Sequence, residues 1–308
     1  MSARNHVTIP EPHAVVDAVM DDGAIIRLRR HGVAGGPRLA LSHGNGLAID
    51  GYFPFWGRLL DRYDVIVYDF RNHGQNPLHH PPGHHWRQFI HDDERIWQTI
   101  RERWGSKPIA GVFHSLSAVT AVTHTLEMGR RWDPLVLFDP PIHPRDGHPL
   151  QPIQRNHEVD IATRARRRTE RYRDPDVLAQ LFSRLPQFRM WLPEAYKLMA
   201  RATLRRDEAA GDWVLACPRE LEAHVFETNR DATLWPRMMN LPVPCKLICG
   251  DPEGEHKQPP ALIGRAIGAE TPCEYEAVPQ TTHFLQIERP EECIRAMESF
   301  LRKHRFVD

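Results

Sequence analysis

The sequence predicts an α/β fold, a mostly parallel, doubly wound sheet with a helical cap inserted into it. Three observations carry that prediction. Short, continuous apolar runs recur along the chain, as strands buried on both faces do. Between them lie stretches whose apolar residues recur three and four apart, the spacing of helices that cover a sheet. The strand signal then stops through a long middle stretch and resumes near the end, which is how an insertion into one domain reads.

Taken in order, strands are expected over 24–30, 38–42, 65–68, 108–113 and 135–138, with helices over 52–60, 90–104 and 117–128 between them. After Leu150 a segment rich in Arg, Glu, Leu and Trp, broken by prolines, runs to about Trp235 with helical periodicity. The core is therefore assigned to 1–140 and 237–308, and the cap to 141–236, inserted after the sixth strand. Strands resume over 245–249 and 273–278. Pro290, suited to a first helical turn, opens a closing amphipathic helix with Ile294, Met297 and Leu301 on one face.

Composition narrows the function classes. The 308 residues are 41% hydrophobic and 26% charged, which excludes a wholly disordered or collagen-like chain. Forty Lys and Arg balance forty Asp and Glu, so no net field draws the protein onto nucleic acid or an anionic membrane, and neither is expected as a partner. The 27 prolines imply many defined connections. Five cysteines, at 217, 245, 249, 273 and 293, form no CxxC pair or zinc-finger spacing and are read as reduced thiols. The first residues lack the apolar stretch of an export signal, and no segment approaches the roughly 18 apolar residues of a membrane span. Residence in the cytoplasm is the expectation.

In an open α/β sheet the chemistry sits just after the strand ends. The strand ending near Phe113 runs through His114-Ser115-Leu116-Ser117 straight into a helix. This junction resembles the nucleophile elbow of the α/β-hydrolase superfamily, in which a sharp turn projects a serine and small residues two positions either side avoid a clash. Ser117 meets the later position; Phe113 departs from the earlier one. Ser115 is taken as the nucleophile over Ser117, which has Val119 ahead of it. A serine that merely caps a helix is the competing role. The loop His43-Gly44-Asn45-Gly46 is similar to the loop that forms half of this superfamily's oxyanion hole, implying backbone N–H donors at Asn45 and Leu116. A nucleotide loop competes here, since Gly44 and Gly46 follow a strand and Asp69 ends the next one. Ile49 stands where the third glycine belongs.

Asp69-Phe70-Arg71-Asn72-His73-Gly74 matches a stretch that is structural in capped members of the superfamily, so Arg71 and His73 are read as loop-fixing. Thr282-His283-Phe284 resembles the family's histidine loop, and the chain order of serine, acid and histidine implies that His283 is the base. Two strand ends offer the acid. Asp139 follows 135–138, and Glu253 stands in Asp251-Pro252-Glu253; Asp139 is favoured and Glu253 kept as the alternative. The resemblance covers about 24–140 and 240–303, and on it the chain is identified as a capped serine hydrolase, esterase- or lipase-like.

The resemblance implies attack by Ser115 on an ester, thioester or lactone-type carbonyl of a small, partly apolar acyl substrate, with no metal or organic cofactor. Carbon–carbon bond hydrolysis, acyl transfer and ligand binding without turnover remain alternatives; Phe113 keeps the last in play. Serine at 115 disfavours the haloalkane and epoxide chemistries, whose enzymes carry a carboxylate there. The histidines 79, 80, 84, 85 and 91 suggest a metal, but their proline-rich setting reads as a solvated loop. The basic run 164–173 reads as an exposed helix face. Phe182, Phe188, Trp191, Tyr196 and Trp213 are candidates for an acyl pocket or for the cap's own core.

Overall fold

A computed structural model describes residues 7–228 and 230–308. Residues 1–6, on which the expected absence of an export signal rests, lie outside the described residues. Among the described residues no helix is long and apolar enough to cross a membrane, and all five cysteines are free and buried.

The strands of the main sheet are β1 (Ala14–Val19), β2 (Ile25–Gly32), β3 (Arg38–Ser42), β4 (Asp64–Tyr68), β5 (Ile109–His114) and β6 (Leu135–Phe138), joined late in the chain by β10 (Cys245–Cys249) and β11 (Glu274–Ala277). They form an eight-stranded sheet in the order β1-β2-β4-β3-β5-β6-β10-β11. β1 and β2 pair antiparallel, as do β2 and β4; from β4 to β11 every pairing is parallel. The apolar runs divide by alternation. Leu39, Leu41, Val65, Val67, Val112 and Val136 enter one buried cluster, whereas Ala40, Ile66, Phe113, Leu135 and Leu137 enter another on the opposite face. Helices on both faces therefore remove the interior strands β3, β4, β5, β6 and β10 from water. They include α1 (Phe53–Trp56), α2 (Trp86–Trp104), α3 (Leu116–Met128), α9 (Pro259–Glu270), α10 (Leu285–Glu288) and the closing α11 (Pro290–Lys303). α1 is one turn within a run that is 3₁₀-helical on both sides, because Pro54 and Gly57 interrupt the expected 52–60 helix.

β1 carries no expectation from the sequence. It is an edge strand in which every second residue is exposed and Asp17 interrupts the apolar residues, so it lacks the continuous run that marks the others.

Between β6 and β10 the chain forms α4 (Gln151–Arg166), α5 (Pro175–Arg184), α6 (Pro193–Ala202), α7 (Arg219–Thr228) and α8 (Leu234–Arg237). The expected helical character holds, with one correction: β7 (Arg171–Tyr172), β8 (Leu204–Asp207) and β9 (Asp212–Leu215) form a small antiparallel sheet in the order β7-β9-β8. These strands are two to four residues long and rich in Arg and Asp, too short and polar to register as apolar runs. Arg171 spans the hairpin to Asp207 and Asp212. Many of the insertion's buried apolar side chains share a cluster with the sheet and α1: Tyr172, Phe182, Trp191 and Met199 belong with Leu39, Phe55 and Phe138. A smaller group, Ala162, Ala165 and Ala223, joins α4 to α7.

Strand register aligns the site. Ser42 pairs with Phe113 across β3 and β5, His114 with Phe138 across β5 and β6, and Phe138 with Ile248 across β6 and β10. The loops after β3, β5, β6 and β10 consequently leave the sheet side by side.

Candidate active site

Ser115 stands at the junction of β5 and α3 with φ +55° and ψ −118°. A left-handed backbone at a residue with a Cβ is strained and persists only where its surroundings enforce it. Its N–H donates to the Phe138 carbonyl at 2.9 Å, and its carbonyl accepts from the amides of Ala118 and Val119, so both sides of the turn are held.

Phe113 does not crowd this turn. Its ring lies on the opposite face of the sheet, edge-on to Trp132 and Tyr68. It folds over Gly111: a Cβ placed there would come within 2.6 Å of the Phe113 ring and 3.0 Å of Leu135. The small residue that the elbow pattern places two before the serine is displaced here to four before it.

The Ser115 hydroxyl lies 3.0 Å from His283 Nε2, and His283 Nδ1 lies 2.6 Å from Asp139 Oδ2. A carboxylate only accepts, so Nδ1 carries the hydrogen and the Nε2 lone pair faces the hydroxyl. Asp139 is fully buried, and its second oxygen accepts the Gly250 N–H at 3.1 Å. It too adopts a left-handed backbone, φ +44°, before Pro140. Glu253, the alternative acid, is exposed and pairs with Arg265, away from His283. Its loop is held instead by Asp251, which accepts the amides of Gln280 and Glu253 at 2.9 Å each. Ser117 turns back to its own chain, donating to the His114 carbonyl and accepting the His114 amide, both at 2.9 Å.

Gly44 brings the loop after β3 against the serine; a Cβ there would lie 3.0 Å from Ser115 Cβ and 3.3 Å from Ser115 Oγ. Leu116 opens α3, so its N–H is among the first four that a helix leaves without an intrahelical acceptor. Asn45, mostly buried, donates its side-chain amide to the Glu222 carbonyl at 2.8 Å. Asp69 accepts the Ile49 amide at 2.8 Å and the Gln75 amide at 3.4 Å, a use of its carboxylate that leaves the nucleotide reading without its ribose ligand.

Several contributors escaped the sequence reading. His114 links three loops: its Nε2 donates to the His283 carbonyl at 2.8 Å, and its Nδ1 accepts from Tyr52 Oη at 2.7 Å, while Tyr52 Oη accepts the Gly44 N–H at 3.3 Å. Burial, followed by the nearby His283, holds His114 well below the usual imidazole value, which keeps it neutral for this role. Glu288 accepts from Thr282 at its amide (2.6 Å) and its hydroxyl (2.5 Å), bracing the histidine loop. His157 of α4 lines a cavity that Ser115 and His283 also line; burial, then His283, pulls it down to about 4. His114 adjoins the serine and Glu288 follows the histidine loop, so proximity in sequence was the available signal; nothing local marks Tyr52 or His157.

Arg71 and His73 fix loops, as expected. Arg71 is buried between Asp92 and Asp22, each at 2.6 Å. His73 Nδ1 donates to the Arg71 carbonyl at 3.1 Å and its Nε2 accepts the Gly46 N–H at 3.2 Å. The histidine-rich loop is only partly solvated: His80 and His91 are exposed, but His84 is buried because it stacks on His73 and packs edge-on to Phe89. With Cys217 these two form a group whose ligand atoms lie within 4.8 Å. Both nitrogens of His73 are already bonded to backbone, so a metal there would have to break the Gly46 contact. The basic run departs from an exposed face at Arg168, which turns inward to Glu222.

A cavity of about 730 Å³ opens over Ser115 and His283. Leu178, Phe182, Leu185, Phe188 and Phe284 line an apolar side; Gln154, His157 and Ile161, at helical spacing on α4, line another. Of the five candidate aromatics, Phe182 and Phe188 reach the cavity. Trp191 and Tyr196 stack on each other beside them, and Trp213 packs against the shared core.

Three solved structures of similar architecture are distant in sequence. E-2-(acetamidomethylene)succinate hydrolase superposes with a TM-score of 0.74 at 18% identity, over 94% of this chain and all of that one. The thioesterase domain from the curacin biosynthetic pathway gives 0.69 at 14%, over 94% and 100%. The N-formylmaleamic acid deformylase of Pseudomonas putida S16 gives 0.62 at 17%, over 92% and 100%. No curated protein sequence matches the chain. The sequence model of the alpha/beta hydrolase family matches residues 39–296, the span that carries the sheet from β3 onward, the elbow and the histidine loop, and the chain belongs to that family.

Proposed function

We propose that this protein is a serine hydrolase acting on an ester, thioester or lactone-type carbonyl. The observation that carries the reading is the hydrogen-bond chain from Ser115 Oγ through His283 to the buried Asp139, at a strained elbow that opens into a cavity. Ser115 Oγ attacks the carbonyl carbon as His283 Nε2 takes its proton, and the carbonyl oxygen becomes an oxyanion facing the Asn45 and Leu116 amides. Collapse of that intermediate expels the leaving group, which takes the proton from His283, and leaves an acyl-Ser115. Water, deprotonated by His283, then releases the acid. Asp139 keeps the imidazole in the required tautomer and stabilises its cation.

The cavity suits an acyl group of mixed character. Its apolar side accommodates a hydrocarbon portion, and at its rim Arg167 and Lys257 form no ion pair among the described residues, whereas Glu222 and Glu158 are paired. A substrate with an anionic end gains from that field. Two of the structural neighbours are named for compounds derived from carboxylic acids, succinate and maleamic acid.

Labelling with a fluorophosphonate and hydrolysis of short p-nitrophenyl esters, neutral and carboxylate-bearing, test the reading. Both activities should vanish in Ser115→Ala, and turnover should vanish in His283→Ala. Labelling or turnover that survives Ser115→Ala overturns it. Transfer of the acyl group to an added alcohol in preference to water would favour an acyltransferase.

A further inference from the structure

We infer that Arg168 and Glu222, both in the insertion between β6 and β10, are positioning residues for the oxyanion loop, so that the seating of the insertion on the sheet sets the alignment of the amides around Ser115. The inference rests on the serine hydrolase reading.

The loop Gly44-Asn45-Gly46 is flanked by two glycines, and Gly46 has φ +71°. Glycine permits the close approach to Ser115 but leaves the backbone with more conformations than any other residue would. Something must restrict them, because an oxyanion donor is effective only within a few tenths of an ångström of its position.

From the sheet side, Tyr52 Oη accepts the Gly44 N–H, and His73 Nε2 accepts the Gly46 N–H. These fix one N–H at each end of the loop. The Gly44 carbonyl is held within the same stretch, accepting from His43 Nδ1 at 2.7 Å and from the Leu47 amide at 3.2 Å. At Asn45 and at the Gly46 carbonyl the restraints come from the insertion. The Glu222 carbonyl accepts the Asn45 side-chain amide at 2.8 Å, Arg168 donates to the Gly46 carbonyl at 3.3 Å, and Arg168 is ion-paired with the Glu222 carboxylate. That carboxylate packs directly against the Gly46 α-carbon, in the space a Cβ would occupy. Arg219 in turn donates to the Arg168 carbonyl at 3.1 Å, tying the segment after α4 to α7.

The pair is well shielded, with side-chain exposures of 22% for Arg168 and 9% for Glu222, so water competes weakly with its contacts. Both residues also line the cavity over Ser115.

The test compares wild type with Arg168→Ala, Arg168→Lys and Glu222→Gln. The readouts are kcat and KM on a p-nitrophenyl ester, affinity for phenylboronic acid, whose tetrahedral adduct places an oxygen toward the loop amides, and backbone amide hydrogen exchange over 44–47. Arg168→Ala is expected to lower kcat roughly 10- to 100-fold, less than deletion of a donor costs, with KM within about threefold and boronate affinity falling in parallel with kcat. Arg168→Lys should recover part of the loss, because an ammonium can still reach the Gly46 carbonyl. Exchange in the loop should accelerate at least about tenfold.

A fall in denaturation midpoint with unchanged kcat, or a rise in KM alone, would overturn the inference, the latter marking Arg168 as a plain substrate contact. Exchange is read whether or not the protein turns over an ester. If wild type neither reacts with a fluorophosphonate nor hydrolyses any ester, the hydrolase reading fails, and unchanged exchange in Arg168→Ala separately refutes the clamp.

Discussion

Replacing Asp139 by asparagine probes the hydrogen-bond chain at its most shielded member. The two oxygens of Asp139 have different partners: Oδ1 accepts the Gly250 N–H at 3.1 Å and Oδ2 accepts the His283 Nδ1 hydrogen at 2.6 Å. An asparagine has one oxygen for these two positions. The Gly250 amide is a fixed donor, since it can neither move its hydrogen nor accept, whereas the imidazole can shift its hydrogen to the other nitrogen. The asparagine oxygen therefore stays with Gly250, and its NH₂ faces His283 Nδ1. The imidazole is driven to carry its hydrogen on Nε2, where it can no longer accept the Ser115 proton. Both tautomer and charge stabilisation are lost. A change of this kind costs about 10⁴-fold in kcat, roughly 5.5 kcal/mol. The assay is steady-state and pre-steady-state hydrolysis of a p-nitrophenyl ester, with the denaturation midpoint as a check on folding. Glu253→Gln, at an exposed residue paired with Arg265, should keep turnover within about twofold. If Asp139→Asn retains kcat within about tenfold of wild type in a folded protein, or if Glu253→Gln is the damaging change, the assignment of the acid is wrong.

Three further outcomes follow from the geometry. Ser115→Gly should abolish esterase activity yet raise the denaturation midpoint, because relief of the left-handed strain, about 1–3 kcal/mol, exceeds the roughly 0.5–1 kcal/mol of added unfolded-state entropy; a lower midpoint by chemical denaturation would contradict the strain argument. Gly111→Ala should cost about 1–3 kcal/mol, as overpacking does, by forcing the added Cβ against the Phe113 ring, and the cost should shrink in a Phe113→Ala background; additive effects in that double-mutant cycle would refute the proposed accommodation. Asp93 is fully buried, its carboxyl pushed up to about 8 by desolvation, with Tyr68 Oη at 3.3 Å. A raised carboxyl pKa means that the native state holds a proton the unfolded chain has released. Its contribution is therefore fully present below about 4 and lost as pH rises toward about 8, with a slope of up to about 1.4 kcal/mol per pH unit. Asp93→Asn should flatten the fall in urea midpoint between those pH values, and an unaltered slope would refute it.

The architecture was legible because the interior parallel strands are buried on both faces and are written as largely apolar runs: β3, β6 and β10 fall on the residues expected, and β4 and β5 differ by a residue at their ends. The edge strand β1 exposes every second residue and is interrupted by Asp17, and the small strands β7, β8 and β9 are only two to four residues long and carry Arg and Asp, so no continuous run marks them. Ser115, Asp139 and His283 were legible through residues beside them at strand ends, and so was the departure at Phe113. Its resolution was not, because the glycine that houses the ring shares a strand face with it, an arrangement visible only once the strand has a direction.

By itself the sequence determined which positions hold titratable and hydroxyl side chains and the order in which strands, loops and insertion follow one another, since burial and periodicity act locally on the chain. Only the tertiary structure brought Asp139 to His283 and left Glu253 with Arg265, turned Ser117 to its own backbone, and placed Tyr52, His114, Arg168 and Glu222 around the loop at Asn45. The physical reason is range. A strand or helix answers to neighbours a few positions away, but a hydrogen bond of about 3 Å between residues 168 apart, as between Ser115 and His283, depends on the register of a whole sheet.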